Sequence, residues 1–183
     1  ALTAAQVKGL GTDLLQALTT GQLQGLGSDQ IALLSNSQIR ALESGDLAVL
    51  GTDQLQGLQA TQIAGLGSDK VSELTTDQIA SLQASLVRSF STSVIANLST
   101  AQVQAIEEED LVSITTSRVS ALASSQIEAL KTSQVAALAT EFQAVYAATD
   151  PDDRNGLRVA LAAVRTAEFL LLDAGDVPTP DIV

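Results

Sequence analysis

Four oxygen-bearing residues near the end of the chain offer its only recognisable metal chemistry. Asp150, Asp152, Asp153 and Asn155 lie ahead of Gly156. Side-chain oxygens in alternation before a glycine are how calcium loops are built. The string departs from that motif in three places. Arg154 takes the fifth position, Gly156 falls one residue late, and Leu161 stands where a bidentate glutamate belongs. The competing reading is a helix start, with a Thr or Asp cap and Pro151 in the first turn. The four residues are weak calcium candidates, and no other cofactor is expected.

The run Glu107-Glu108-Glu109-Asp110 is the densest acidic stretch. It could steer a cation or a basic partner, but the simpler reading is a solvated helix N-terminus. The chain has no His and no Cys. That removes histidine bases, thiolate nucleophiles, disulfides and the common zinc sites together. Ser and Asp are plentiful, yet without His or a nucleophile elbow there is no hydrolytic triad to assign. The Gly-Leu-Gly triplets at 9–11, 25–27 and 65–67 lack the spacing of a phosphate loop. No catalytic residue and no enzymatic activity is expected.

Charge narrows the partners. The 183 residues carry 21 acids and 9 bases, a net charge of −12. Nucleic acid is not expected, because neutralising phosphates needs a basic patch. No apolar run reaches the roughly 18 residues that a membrane span requires, so membrane insertion is not expected. Aromatic residues are few: three Phe, one Tyr and no Trp. A thin, regular aliphatic core can do without them.

The elements that must position all of this follow an eight-residue period. Position one is apolar at Leu2, Leu10, Leu18 and every eighth residue to Leu138, with Phe90, Ile106 and Ile114 among them. Position six is apolar from Val7 through Leu15 and Leu23 to Val135. Positions six and one are three apart and share a helical face. Position three is mostly Thr, Ser or Asn, as at Thr12, Ser28, Asn36 and Thr52, which suits an N-cap. Position four often adds a first-turn acid such as Asp13, Asp29 or Asp53. Position five is Gln in ten of seventeen octads. Where position two is Thr or Ser this gives the Thr/Ser-x-x-Gln capping box, with a register one residue earlier. Gly11, Gly27, Gly51 and Gly67 at position two suit a left-handed C-terminal cap. Small residues at position eight, such as Gly9, Gly25, Gly57 and Ala121, permit close backbone approach. Position seven, with Lys8, Gln16, Gln24, Arg40, Gln56, Arg88, Gln104 and Glu128, points outward.

A fixed short period means stacking, because no unit can bury its own apolar face. The expected fold is all-α: residues 1–138 form a solenoid of very short capped helices. A β-solenoid and a helical hairpin or bundle are the alternatives. One continuous helix is excluded, since eight residues advance the apolar face by about 80° per unit. The coil holds two or three helices, and the 16-residue spacings of Gly11 to Gly27 and Gly51 to Gly67 hint at two. Residues 139–174 read as a C-terminal helical cap. It contains a helix around Phe142, Val145 and Tyr146 and an amphipathic helix from Leu157 to Leu172. Residues 175–183, with Pro178 and Pro180, read as an extended tail or linker.

Units such as Leu74-Thr75-Thr76-Asp77-Gln78-Ile79-Ala80-Ser81 resemble the tandem short repeats of large bacterial exoproteins and adhesin-like surface proteins. The resemblance covers about residues 2–138 and brings no catalytic residue with it. It implies a spacer, stalk or self-associating structural or adhesion segment that is extracellular or on the cell surface. The implied partner is protein, including a copy of the chain through the open N-terminal end. A solenoid module with one binding face for a protein partner is the alternative reading.

Overall fold

The computed structural model describes residues 2–148 together with Ala162 and Arg165. All regular structure among the described residues is helical, and the architecture is a solenoid of short helices. The first coil comprises α1 (Ala4–Lys8), α2 (Thr12–Gln16) and α3 (Thr20–Gln24); the second, α4 (Ser28–Ala32), α5 (Asn36–Ala41) and α6 (Ser44–Ala48). The third holds α7 (Thr52–Gln56), α8 (Ala60–Gly65) and α9 (Ser68–Ser72), and the fourth α10 (Thr76–Ala80), α11 (Ala84–Val87) and α12 (Thr92–Asn97). The fifth holds α13 (Thr100–Ala105), α14 (Glu108–Leu111) and α15 (Thr116–Val119). Then come α16 (Ser124–Glu128) and α17 (Thr132–Ala148).

Each helix packs on the one three places further along: α2 on α5, α5 on α8, α9 on α12, α14 on α17. The coil is therefore three octads, 24 residues, and the two-helix coil suggested by glycine spacing is corrected. Those glycines recur wherever a corner tolerates them, and corners come every eight residues whatever the coil size. Three walls result. The first stacks α1, α4, α7, α10, α13 and α16. The second runs from α2 to α17, and the third from α3 to α15.

Helices of four to six residues do not survive alone in water. Their stability comes from one continuous inner strip. Positions six and one supply it, from Val7 and Leu15 to Val135 and Leu138, with Phe90 fully buried as the one aromatic of the buried strip. Burying each such side chain contributes about 1.5–3 kcal/mol. Every corner is closed the same way: the position-one amide donates to the position-six carbonyl, as in Leu10 to Val7 at 3.2 Å and Leu66 to Ile63 at 3.0 Å.

The N-cap lies at position two, one residue earlier than position three. Thr3, Ser35 and Thr75 occupy it with extended backbone. Thr and Ser crowd both positions, so composition alone does not separate them. Gly11, Gly27, Gly51 and Gly67 are also N-caps, with φ of −68 to −72°. They are not left-handed C-caps; the corner closes without positive φ. Position eight bears out the close-approach expectation at Gly57, where a Cβ would come within 2.4 Å of the Ser28 carbonyl oxygen.

The last octad helix does not stop at Leu138. α17 runs for 17 residues to Ala148, as the loss of rhythm after Leu138 suggests. The side chains of Phe142, Val145 and Tyr146, the helix expected from Leu157 to Leu172 apart from Ala162 and Arg165, and the tail 175–183 lie outside what is described.

Candidate functional site

The polar chemistry of this chain sits between coils. Each of the ten position-five glutamines uses its amide oxygen in the same way. Oε1 accepts the backbone amide of its own N-cap residue, at 2.8 Å for Thr3 and Gln6, 2.9 Å for Gly51 and Gln54, and 2.7 Å for Ala123 and Gln126. The cap works even where position two is Gly or Ala, because the glutamine does the capping. In eight of the ten, Nε2 then points back 28 to 31 residues along the chain. It donates to a position-six carbonyl and to the position-one carbonyl of the corner that follows.

Seven glutamines make the full pair. Gln38 reaches Val7 and Leu10 at 3.1 and 2.9 Å, Gln54 reaches Leu23 and Leu26 at 2.9 and 2.6 Å, and Gln78 reaches Leu47 and Leu50 at 3.0 and 2.8 Å. Gln62, Gln102, Gln126 and Gln134 repeat the arrangement. All seven are buried. One side chain thus satisfies an orphan amide at the start of one helix and two orphan carbonyls at the end of another. Burial of these amides is affordable only because the pairing is complete; among the described residues no buried side-chain nitrogen or oxygen lacks a partner.

The walls differ in how strictly they keep this link. Position five of the first wall is Gln6, Gln30, Gln54, Gln78, Gln102 and Gln126, without exception. The second wall has Leu14, Gln38, Gln62, Leu86, Asp110 and Gln134, and the third has Gln22, Asp46, Lys70, Val94 and Arg118. Lys70 imitates the glutamine, its ammonium donating to the carbonyls of Arg40 and Leu42. Leu86 and Val94 abandon polar contact and bury apolar surface instead.

A second set of links runs forward. At position seven, Gln24 donates to the Val49 carbonyl at 3.0 Å, Arg40 Nε to Gly65 at 2.7 Å and Gln56 to Ser81 at 3.4 Å, each 25 residues on. Gln104 bonds Ala129 in the same way. Position seven was expected to point outward; Gln24, Arg40 and Gln56 are indeed exposed, and all four also brace the next coil. Neither set of links was assigned from sequence, because acceptor carbonyls leave no mark there.

Glu107 to Asp110 form the start of α14, as the simpler reading held, but they are not uniformly solvated. Glu108 is held below the usual carboxylate range, first by a hydrogen bond from the Ser133 hydroxyl. Asp110 occupies a position-five slot and is buried. Burial pushes its carboxyl up, aided by Glu107 and Glu109 and opposed by Arg88. Among the described residues no group of three or more Asp, Glu, His or Cys side chains could hold a metal ion. The calcium candidates Asp150, Asp152, Asp153 and Asn155 lie outside the described residues, so nothing here brings them together. No described helix is long and apolar enough to cross a membrane.

A family model, the ALTTAQ repeat, matches residues 15–44, 39–76, 47–84 and 103–140, more than half of the chain. The chain belongs to the ALTTAQ repeat family. Among curated proteins and among solved structures, nothing matches it. The ALTTAQ segments coincide with the glutamine links: residues 39–84 contain Gln54, Gln62 and Gln78, and residues 103–140 contain Gln126 and Gln134. The family accounts for the tandem repetition that the sequence displays.

Proposed function

We propose that this chain is a structural segment of a secreted or surface protein, a spacer or stalk that holds other parts at a distance. One observation carries the reading: its regularly spaced polar side chains are spent on joining coil to coil. Gln, Lys70 and the position-seven braces face neighbouring coils, so that polarity serves length and rigidity. The role is non-enzymatic. It fits a repeat family with an all-helical stack, where each unit meets only its neighbours. Adhesion or self-association would use surfaces that this framework presents, with protein as the partner.

Small-angle scattering on the isolated chain tests the reading. A spacer gives a rod-like profile whose maximum dimension grows in proportion when coils are inserted. A profile that stays compact on insertion sinks it. The alternative, a module with one binding face, predicts one wall that tolerates substitution far less than the others at exposed positions, measured by partner capture rather than by stability.

A further inference from the structure

The first coil presents a face that every other coil keeps covered. Leu14 is 54% exposed and Leu2 is 37% exposed. Together with Leu10, Leu18 and Leu26 they line an open apolar groove, flanked by Gln6 and Gln22. Among the described residues, Nε2 of Gln6 and of Gln22 has no acceptor, although Oε1 of each already caps its own helix. Gln30 is intermediate: it is half-buried and has one carbonyl, that of Leu2.

The interior of the same chain shows what fits there. Residues three coils, or 72 positions, further along occupy the same wall and the same octad position. For Leu2 that residue is Leu74, 3% exposed; for Leu14 it is Leu86, 2% exposed; for Gln6 it is Gln78, 4% exposed. Residue types agree in all three pairs. What covers the interior set is the chain stacked before it, and Gln78 is bonded to the Leu47 and Leu50 carbonyls where α6 turns into α7.

We infer that the groove at the first coil is a docking face for one more octad coil of this repeat type, with its corner carbonyls free to be bonded. Gln6 and Gln22 donate to its corner carbonyls, and Leu14 packs on it as Leu86 packs on the third coil. A second copy of this chain is the poorer occupant. Its described C-terminal end lacks a corner at Leu138, where α17 continues and the carbonyl is engaged within the helix. The docking face goes beyond the spacer reading and is tested separately from it, by stability rather than by shape.

The experiment copies residues 43–72 ahead of Ala1, so that Ala1 takes the place of Glu73 and the copied Leu47 and Leu50 face Gln6. The full chain and the fusion are compared with and without Leu14→Lys. The fusion is expected to stay monomeric and to gain about 5 °C or more in Tm. Leu14→Lys should leave the chain as it stands within about 1 °C, yet lower the Tm of the fusion by several degrees. Side-chain amide exchange at Gln6 and Gln22 should slow in the fusion alone. An added segment without hydrogen-exchange protection, or an equal effect of Leu14→Lys in both contexts, overturns the proposal. So does an unfused chain that dimerises in sedimentation and is made monomeric by Leu14→Lys, since the occupant is then a second copy.

Discussion

Gln78 Nε2 lies 2.8 Å from the carbonyl oxygen of Leu50, at the corner between α6 and α7. The same amide accepts the Thr75 backbone N–H at 2.8 Å through Oε1. Cap and inter-coil joint are one side chain, so damage to either is damage to both.

Gln102 offers the cleanest test, because its five polar contacts repeat this geometry. Gln102→Ala strands a cap amide and buried carbonyls and should cost about 1–3 kcal/mol. Gln102→Glu should be worse at neutral pH, where a carboxylate faces carbonyl oxygens. Burial and those oxygens raise the pKa of such a glutamate, so its penalty should shrink as pH falls and the protonated carboxyl donates again. Denaturant titrations at neutral and acidic pH measure this. A penalty for the Glu variant that does not change with pH counts against the joint.

Asp110 already carries a natural version of that defect. Its folded pKa is raised, so the stability it contributes is full below its unfolded pKa and is lost as pH rises through the folded value. Asp110→Gln should therefore stabilise the chain at neutral pH, and the gain should fade towards low pH. Glu108, two residues away, behaves oppositely. Its pKa is lowered, so its contribution is present above the unfolded pKa and is lost as pH falls through the folded value. Ser133→Ala should bring the Glu108 pKa back up, which carboxyl NMR titration reads directly; no movement would show the Ser133 hydroxyl to be irrelevant.

Two glycines should answer substitution in opposite ways. Gly57→Ala drives a methyl into the Ser28 backbone and should cost about 1–3 kcal/mol, as overpacking does. Gly11 has nothing within 4 Å of its missing Cβ and an ordinary φ of −68°. Gly11→Ser should stabilise by about 0.5–1 kcal/mol, adding a capping hydroxyl and removing unfolded-state freedom. Ser91 shows that the cap works over an apolar position five, its hydroxyl accepting the Val94 amide at 3.2 Å. Thermal melts of the two variants suffice; Gly57→Ala without loss would show that Ser28 moves aside.

Much of this architecture is legible in the residues themselves. The series from Leu2 to Leu138 and from Val7 to Val135 give the short helix, its inner face and the stacked solenoid, because burial leaves a periodic trace. The coil size was also present, in Gln6, Gln30, Gln54, Gln78, Gln102 and Gln126, which never fail at 24 residues. It stays hidden because the capping box accounts for each of those glutamines singly, and the second partner is a backbone carbonyl that any residue carries. The N-cap shifted by one because Thr12, Thr20 and Thr76 at position three look as capable as Thr3, Thr19 and Thr75 at position two. Asp110 reads as one more solvated acid because linear proximity to Glu109 hides that position five turns inward.

The constant step from each helix to the third beyond it sets the entropic cost of assembly. Every stacking contact closes a loop of about 24 residues, whether the array is short or long. Doubling a loop raises its closure cost by only about 0.6 kcal/mol, but here the loops never lengthen at all. Contact order relative to chain length therefore falls as coils are added, and local folding steps can propagate from any starting coil. A gene for such a chain can gain or lose 72 nucleotides, one coil at a time, without asking the polypeptide to solve a new topological problem.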